Sequence, residues 1–92
     1  MCALKWDERK RRKNLIGHGV DFADIEPLFN GATITVIDDR YDYGELRFIT
    51  LGLLNSMVIS VAHTETDDVV RMISARKATR NEEENYFKKI GK

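Results

Sequence analysis

The sequence contains little of several residue types, and each shortage excludes a class of protein. Among 92 residues there is one cysteine and one proline. The lone Cys2 cannot form an internal disulfide and has no metal-ligand spacing around it, which excludes a disulfide scaffold and a cysteine metal site. No apolar run approaches the roughly 20 residues of a membrane span, and residues 1–15 are charged rather than apolar. We therefore expect a cytoplasmic protein with neither a spanning helix nor a signal peptide.

A net charge is also missing, because 15 Lys and Arg residues balance 15 Asp and Glu residues. This balance argues against a protein that coats nucleic acid, although a local basic site stays possible. The charges are segregated into two basic groups on either side of an acidic middle. The groups are Lys5, Arg9, Lys10, Arg11, Arg12 and Lys13, and Arg71, Arg76, Lys77 and Arg80. Such segregation can steer a polyanion to one face of the protein. The alternative for residues 9–13 is that their charges are simply solvated on the surface of a helix and bind no ligand.

At 42% apolar and 33% charged residues, the chain is predicted to form a single domain over residues 1–92 with one modest core. The N-terminal third is predicted to hold a strand over 3–6, a helix over about 8–18 and a short helix after Asp21. Asp7 is a good N-cap and Gly19 a natural stop for the first helix. Pro27 is predicted to make the second helix irregular.

From Ala32 the apolar period changes to two, which predicts strands. The expected elements are strands over 32–39, 44–54, 57–64 and 69–75 and a helix over about 80–90. Asn55-Ser56 and Asp67-Asp68 are predicted hairpin turns, and Thr79 with Glu82 matches a capping box. This order predicts an α+β fold, with an antiparallel sheet of about four strands plus the short N-terminal strand, two N-terminal helices and a C-terminal helix.

The two turns fix a register in which Arg47, Thr64 and Arg71 form one row on one sheet face, with Glu45 diagonally adjacent. Ser60, Ala62, Ile73 and Ala75 are predicted beside them. The opposite, apolar face is predicted to carry Leu46, Phe48, Met57, Ile59, Val61, His63, Val70 and Met72, covered by the first two helices. An arginine on a half-buried strand needs a negative partner. Either Glu45 pairs with Arg47 while an Asp of loop 41–43 pairs with Arg71, or a phosphate from outside lies between the guanidiniums.

Histidine and tyrosine offer further candidates with two interpretations each. His63 is expected to be a core histidine and His18 to complement a helix dipole, although either could move a proton near neutral pH. With no Cys or His neighbours, the two histidines predict no metal site. Tyr86 either reaches the arginine face or, with Phe87, attaches the last helix to the sheet.

Three segments together resemble the BrnT family over about residues 4–87. They are WDERKRRKNLIGHGVDF from Trp6, YGELRFITLG from Tyr43 and VVRMISARKATRNEEENY from Val69. The specific part is the Y-G-E-x-R block combined with I-S-A-R. Two departures are Thr66, where members often carry a basic residue after T-E, and Pro27 in the second helix. The resemblance implies a compact RelE-like domain that is the toxin of a type II toxin–antitoxin pair.

The resemblance further implies a metal-independent endoribonuclease without cofactors that cuts RNA and inhibits translation. Its implied partner is a BrnA-type antitoxin with a ribbon-helix-helix DNA-binding part, so that DNA is contacted only through the antitoxin. The expected catalytic residues are Arg47, Arg71, Arg76, Glu45 and Tyr86. The expected substrate-binding residues are Lys10, His18, His63 and Lys77. The alternative function is a non-catalytic interaction module, or a repressor-complex subunit, that binds an acidic partner.

Overall fold

The chain forms the α+β domain that the sequence predicts, described here by a computed structural model over residues 3–91. Its strands are β1 (Ala3–Lys5), β2 (Thr33–Ile37), β3 (Phe48–Leu54), β4 (Met57–Thr66) and β5 (Val69–Lys77). Its helices are α1 (Glu8–His18), a 3-10 turn (Phe22–Asp24), α2 (Glu26–Phe29) and α3 (Arg80–Lys89). Within residues 3–91 the strands form one sheet in the order β1-β5-β4-β3-β2. The sheet is mixed rather than antiparallel, because β1 pairs in parallel with β5. Cys2 lies outside the described residues.

The ends of the helices follow from their capping residues. The Asp7 side chain accepts hydrogen bonds from the first backbone N–H groups of α1, and Gly19 ends this helix at a φ of 73°. Thr79 and Glu82 form the predicted capping box of α3. Pro27 lies in the first turn of α2, where its missing N–H costs no helical hydrogen bond. The segment is irregular, as expected, because it consists of a 3-10 turn followed by a short helix.

Both predicted hairpin turns are confirmed by their backbone angles. Asn55 and Ser56 have φ values of 51° and 68°, and Asp67 and Asp68 have values of 48° and 65°. Two successive positive φ values match the right-handed twist of the flanking strands. The turns therefore set the pairing of β3 with β4 and of β4 with β5.

A β-bulge in β5 changes which side chains share a face. Ile73 is an extra residue between Met72 and Ser74, which pair with adjacent residues of β4. Because side chains alternate along a strand, one extra residue moves every later side chain to the other face. Ala75 is therefore fully buried in the core, contrary to its predicted place beside the arginines. The same shift puts Arg76 on the face that carries Arg71.

One sheet face, here called the core face, is covered by the segment between α1 and β2. Its buried residues are Ile59, Val61, Val70, Met72 and Ala75, packed against Val20, Phe22, Ile25 and Leu28. Met57 pairs with Leu54 and lies on this face as predicted, although it is 43% exposed. Leu46 precedes β3 and is 59% exposed, so it is not part of the buried core, contrary to the prediction. The cover comes from residues 20–28 rather than from both helices.

Helix α1 instead lies along the edge of β5. The Asn14 side chain accepts from the Ala75 N–H at 2.9 Å and donates to the Ala75 carbonyl at 2.8 Å. It also donates to the carbonyl of Val20 at 2.8 Å. Asn14 thus replaces a neighbouring strand at the point where β1 has ended, which satisfies backbone groups of an otherwise open edge.

The opposite face, here called the arginine face, is partly covered by α3. Tyr86 has no exposed surface, and its hydroxyl donates to the Ala32 carbonyl at 2.7 Å. The Tyr86 and Phe87 rings contact each other edge to face. Tyr86 therefore anchors α3 to the sheet, the second of its two predicted interpretations.

Replacing Gly52 with alanine tests the packing between α2 and β3. A Cβ at Gly52 would lie 2.7 Å from two side-chain carbons of the fully buried Leu28. We expect Gly52→Ala to lower the free energy of unfolding by about 1–3 kcal/mol, measured by urea denaturation, because a packed core resists an added carbon. The control Gly17→Ala adds its carbon in open space on α1 and should be neutral or stabilising by up to about 1 kcal/mol. Equal stability of Gly52→Ala and wild type would contradict this packing.

Candidate functional site

Two arginines of the arginine face share a single carboxylate. Arg71 donates from Nη2 to Glu45 Oε1 at 2.7 Å, and Arg47 donates from Nε to Glu45 Oε2 at 3.2 Å. Arg71 pairs with Thr64 as predicted, and Arg47 directly precedes β3 on the far side of β4. Glu45 therefore pairs with both arginines, where one of the sequence interpretations gave Arg71 a separate aspartate. This group of two guanidiniums and one carboxylate is called the shared-carboxylate site below.

The shared-carboxylate site has one positive charge in excess. Hydrogen bonding from Arg47 and the charge of Arg71 hold the pKa of Glu45 below its ordinary value. Glu45 is thus a weak base in this arrangement and is better suited to orient the two guanidiniums. The two oxygens of a carboxylate on two guanidiniums also resemble the geometry that a phosphate would adopt.

The ring of Tyr43 packs against the guanidinium of Arg47. The Arg47 guanidinium carbon lies 4.1 Å from the Tyr43 ring centroid, a distance typical of a cation–π contact. The Tyr43 hydroxyl donates to Asp38 Oδ2 at 3.0 Å, and the Asp38 N–H donates to the Arg47 carbonyl at 2.8 Å. Tyr43 and Asp38 therefore set the position of Arg47.

Asp38 is the buried centre of the loop between β2 and β3. Its side chain is 4% exposed and accepts from Arg40 Nε at 2.8 Å and Nη2 at 2.9 Å. These bonds hold the pKa of Asp38 well below its usual range, while burial and the hydrogen bond to Asp38 raise the pKa of Tyr43. At neutral pH Asp38 is charged and Tyr43 keeps its proton. The sequence analysis did not predict that Asp38 and Tyr43 position Arg47, because residues of a loop show no periodic pattern of apolar side chains. The only sequence signal for Tyr43 is its place in the Y-G-E-x-R block.

Arg76 lies on the same face but at a separate place. It is five residues from Arg71, about 15 Å along a strand. Its two Nη atoms donate to the two carboxylate oxygens of Glu82 at 2.8 and 3.1 Å. The pKa of Arg76 is raised, chiefly by the hydrogen bond to Glu82, against smaller opposite effects of burial and of the positive charge of nearby Arg40. Arg76 therefore lies apart from the shared-carboxylate site, and its guanidinium is already paired with Glu82.

Burial removes two of the predicted site residues from the arginine face. Tyr86 is anchored to Ala32, so its hydroxyl is unavailable as an acid and its ring as a stacking surface. His63 is 1% exposed on the core face, where Nε2 bonds Thr50 Oγ1 at 2.7 Å. The site roles expected for Tyr86 and His63 are corrected, because neither side chain can touch a ligand on the arginine face. The other interpretations, Tyr86 as the attachment of α3 and His63 as a core histidine, are confirmed.

Three further predicted residues lie at the edges of the sheet. Lys10 lines one groove together with Lys5 and Arg71. Lys10 also lines a second groove, together with His18 and Ser74. Lys10 therefore connects the shared-carboxylate site with the basic side of α1. Lys77 is exposed but pairs with Ile59, which turns it towards the core face and away from Arg76.

Among residues 3–91, no three His, Cys, Asp or Glu side chains are grouped so that they could hold a metal ion. None of the helices in the same range is long and apolar enough to cross a membrane.

Comparison with known proteins gives the class to which this fold and site belong. Residues 6–82 match the model of a family described as the ribonuclease toxin, BrnT, of type II toxin–antitoxin systems. The class is thus that of the ribonuclease toxins of such pairs. Because the match covers most of the chain, the protein belongs to the BrnT family, as its sequence motifs indicated.

A solved structure supports this assignment. The chain is similar to the crystal structure of the Brucella abortus ribonuclease toxin, BrnT, at 26% sequence identity and a TM-score of 0.67. The similarity covers 87% of this chain and 100% of that chain. A search of curated proteins found no match.

The burial of His63 predicts a pH dependence of stability. Burial lowers the pKa of His63 below its ordinary value of 6.5, against smaller opposite effects of Glu65 and Thr64. The unfolded chain therefore binds a proton at His63 more readily than the folded chain does. The contribution of the neutral His63 to the free energy of unfolding is fully present above about pH 6.5 and is lost as the pH falls below that value. We expect the free energy of unfolding to fall less between about pH 7.5 and 5.5 in His63→Gln than in wild type, as measured by denaturant titration.

The control for this measurement is His18→Gln, which changes an exposed histidine on α1. It should follow the wild-type pH dependence. A His63→Gln profile parallel to the wild-type profile would show that His63 does not contribute.

Proposed function

We propose that the arginine face binds an RNA backbone and that the protein is a metal-independent endoribonuclease that inhibits translation. The observation that carries this proposal is that Arg47 and Arg71 stand on either side of one anionic group. A phosphate that replaces the Glu45 carboxylate would find two forked donors already aligned. The RelE-like relationship implied by the family resemblance and the cytoplasmic location expected from the composition are parts of the same proposal.

Metal-free cleavage of RNA needs three contributions. The neighbouring 2′-oxygen must lose its proton and attack phosphorus, extra negative charge must be stabilised on the phosphate, and the departing 5′-oxygen must gain a proton. Arg47 and Arg71 are suited to the second contribution, because arginine stays charged and its donors are fixed in a plane. Removing one such donor costs roughly 10²–10³ in rate in other enzymes.

Glu45 is proposed to have successive roles. In the free protein it orients Arg47 and Arg71. When a phosphate takes over these donors, the interactions that lower the pKa of Glu45 are lost. Its carboxylate then becomes a better acceptor for the proton of the 2′-hydroxyl.

The flanking RNA is proposed to follow the edge of β5. Lys5 and Lys10 line the groove next to Arg71, and His18 lines its continuation along α1. Lys5 and Lys10 would bind neighbouring phosphates through charge alone, so their contribution should decrease with salt. Arg76, about 15 Å from Arg71, would contact a more distant phosphate.

A toxin of a type II pair implies an antitoxin, and we propose a BrnA-type partner with a ribbon-helix-helix part that makes the DNA contacts. The second candidate function is a non-catalytic module that binds an acidic partner. It is favoured by the burial of Tyr86 and His63, which leaves the arginine face without the proton donors that the sequence suggested.

The test is RNA cleavage by purified variants. Arg71→Ala and Arg47→Ala should each lower the cleavage rate roughly 10²–10³-fold, because each removes a phosphate donor. The control Arg80→Ala, whose side chain is 91% exposed on α3, should cleave like wild type. Wild-type cleavage should persist in EDTA. Full activity of Arg71→Ala and Arg47→Ala would contradict the phosphate site, and an inactive wild type would favour the non-catalytic module.

A further inference from the structure

Part of the arginine face is apolar and uncovered. Ile34 pairs with Leu51, and Val36 pairs with Ile49, so the four side chains form two adjacent apolar rows on β2 and β3. Val36 is 51% exposed. These four side chains form the floor of a groove that the shared-carboxylate site does not use.

Helix α3 forms one wall of this groove, and the other side is open at the sheet edge. Glu82, Asn85 and Lys89 line the wall, at a spacing that places them on one side of a helix. On the open side, β2 is the last strand of the sheet. A groove with an aliphatic floor and one helical wall fits a second helix lying beside α3.

The two ends of the groove differ in charge. At one end Glu82 is paired with Arg76, and the nearby Arg40 is paired with Asp38, so the charges there compensate each other. At the other end lies Lys89, which forms no ion pair among the residues that the structure describes, 3–91. Lys89 follows Glu82 by seven positions, which corresponds to about 10 Å along a helix. A complementary helix would therefore carry an apolar stripe for the floor of the groove and an acidic residue at the end where Lys89 lies.

We propose that this groove is a docking site for an amphipathic, acidic helix of the antitoxin, an inference that rests on the proposed function. The antitoxin is the expected occupant because the family forms one half of a toxin–antitoxin pair. A second copy of this chain fits less well. Pairing two copies along the open edge of β2 would use only its five residues, roughly 17 Å of strand, and would leave the groove floor on the sheet face uncovered. RNA also fits less well, because bases stack on aromatic rather than aliphatic side chains.

The position of the groove gives the bound helix a second effect. One end of the groove meets Arg76 and Arg40, which border the proposed RNA path. A helix bound there would exclude RNA from this end of the arginine face. Docking and inhibition would then come from one segment of the antitoxin.

The test is cysteine protection in the complex with the native antitoxin, in a Cys2→Ser background. Val36→Cys introduces a thiol on the groove floor, and the matched control Ile16→Cys introduces one on α1 at a site that is 87% exposed. Alkylation of Val36→Cys by N-ethylmaleimide should be at least tenfold slower in the complex than in the free chain, while Ile16→Cys should react at similar rates in both. Equal rates for Val36→Cys would overturn the proposal.

Further arms separate this inference from the proposed function. Val36→Asp should weaken antitoxin binding at least tenfold, measured by calorimetry, with unchanged RNA cleavage, whereas Val36→Thr should bind like wild type. Full activity of Arg71→Ala would refute the phosphate site without affecting these results. Two outcomes would overturn the antitoxin helix as the occupant of the groove. In the first, RNA slows alkylation of Val36→Cys and the antitoxin adds no further protection. In the second, a higher concentration of the chain alone slows it and the antitoxin again adds none.

Discussion

The sharing of one carboxylate by two guanidiniums is the interaction on which the proposed activity depends. Two arginines on adjacent parts of a sheet face repel each other unless an anion lies between them. Glu45 supplies that anion within the fold, and it leaves one positive charge uncompensated. The free protein therefore keeps both guanidiniums at a spacing suited to an oxyanion, and a phosphate can take the place of the carboxylate without building the site anew.

The rest of the fold holds this site in place from two directions. From the strands, the hairpin turn at Asp67-Asp68 aligns Arg71 with Thr64. From the loop, the buried Asp38 holds Tyr43, whose ring lies under Arg47. The first support is made of backbone pairing and the second of side-chain contacts, so the two arginines are positioned by independent parts of the chain.

Much of the fold could be predicted from the sequence, because its signals are local. Asp7, Gly19 and the Thr79 capping box mark helix ends, and two-residue turns mark the hairpins. The Arg47–Thr64–Arg71 row followed from those turns. The bulge at Ile73 could not be predicted, since no residue type marks it, and it reversed the expected face of Ala75. The burial of Tyr86 depends on how α3 crosses the sheet, and its sequence pattern leaves that direction open.

The replacement of the Glu45 carboxylate by an RNA phosphate is tested most directly by a binding measurement. It compares the affinities of Glu45→Gln and wild type for an RNA oligonucleotide made uncleavable by a 2′-deoxy substitution. If Glu45 occupies the place of a phosphate, removing its charge should tighten binding, on the order of tenfold or 1.4 kcal/mol, at low salt. Glu84→Gln, at an exposed carboxylate on α3, should bind like wild type. Weaker binding by Glu45→Gln would contradict the account, since it would mean that RNA needs the carboxylate in place rather than its departure.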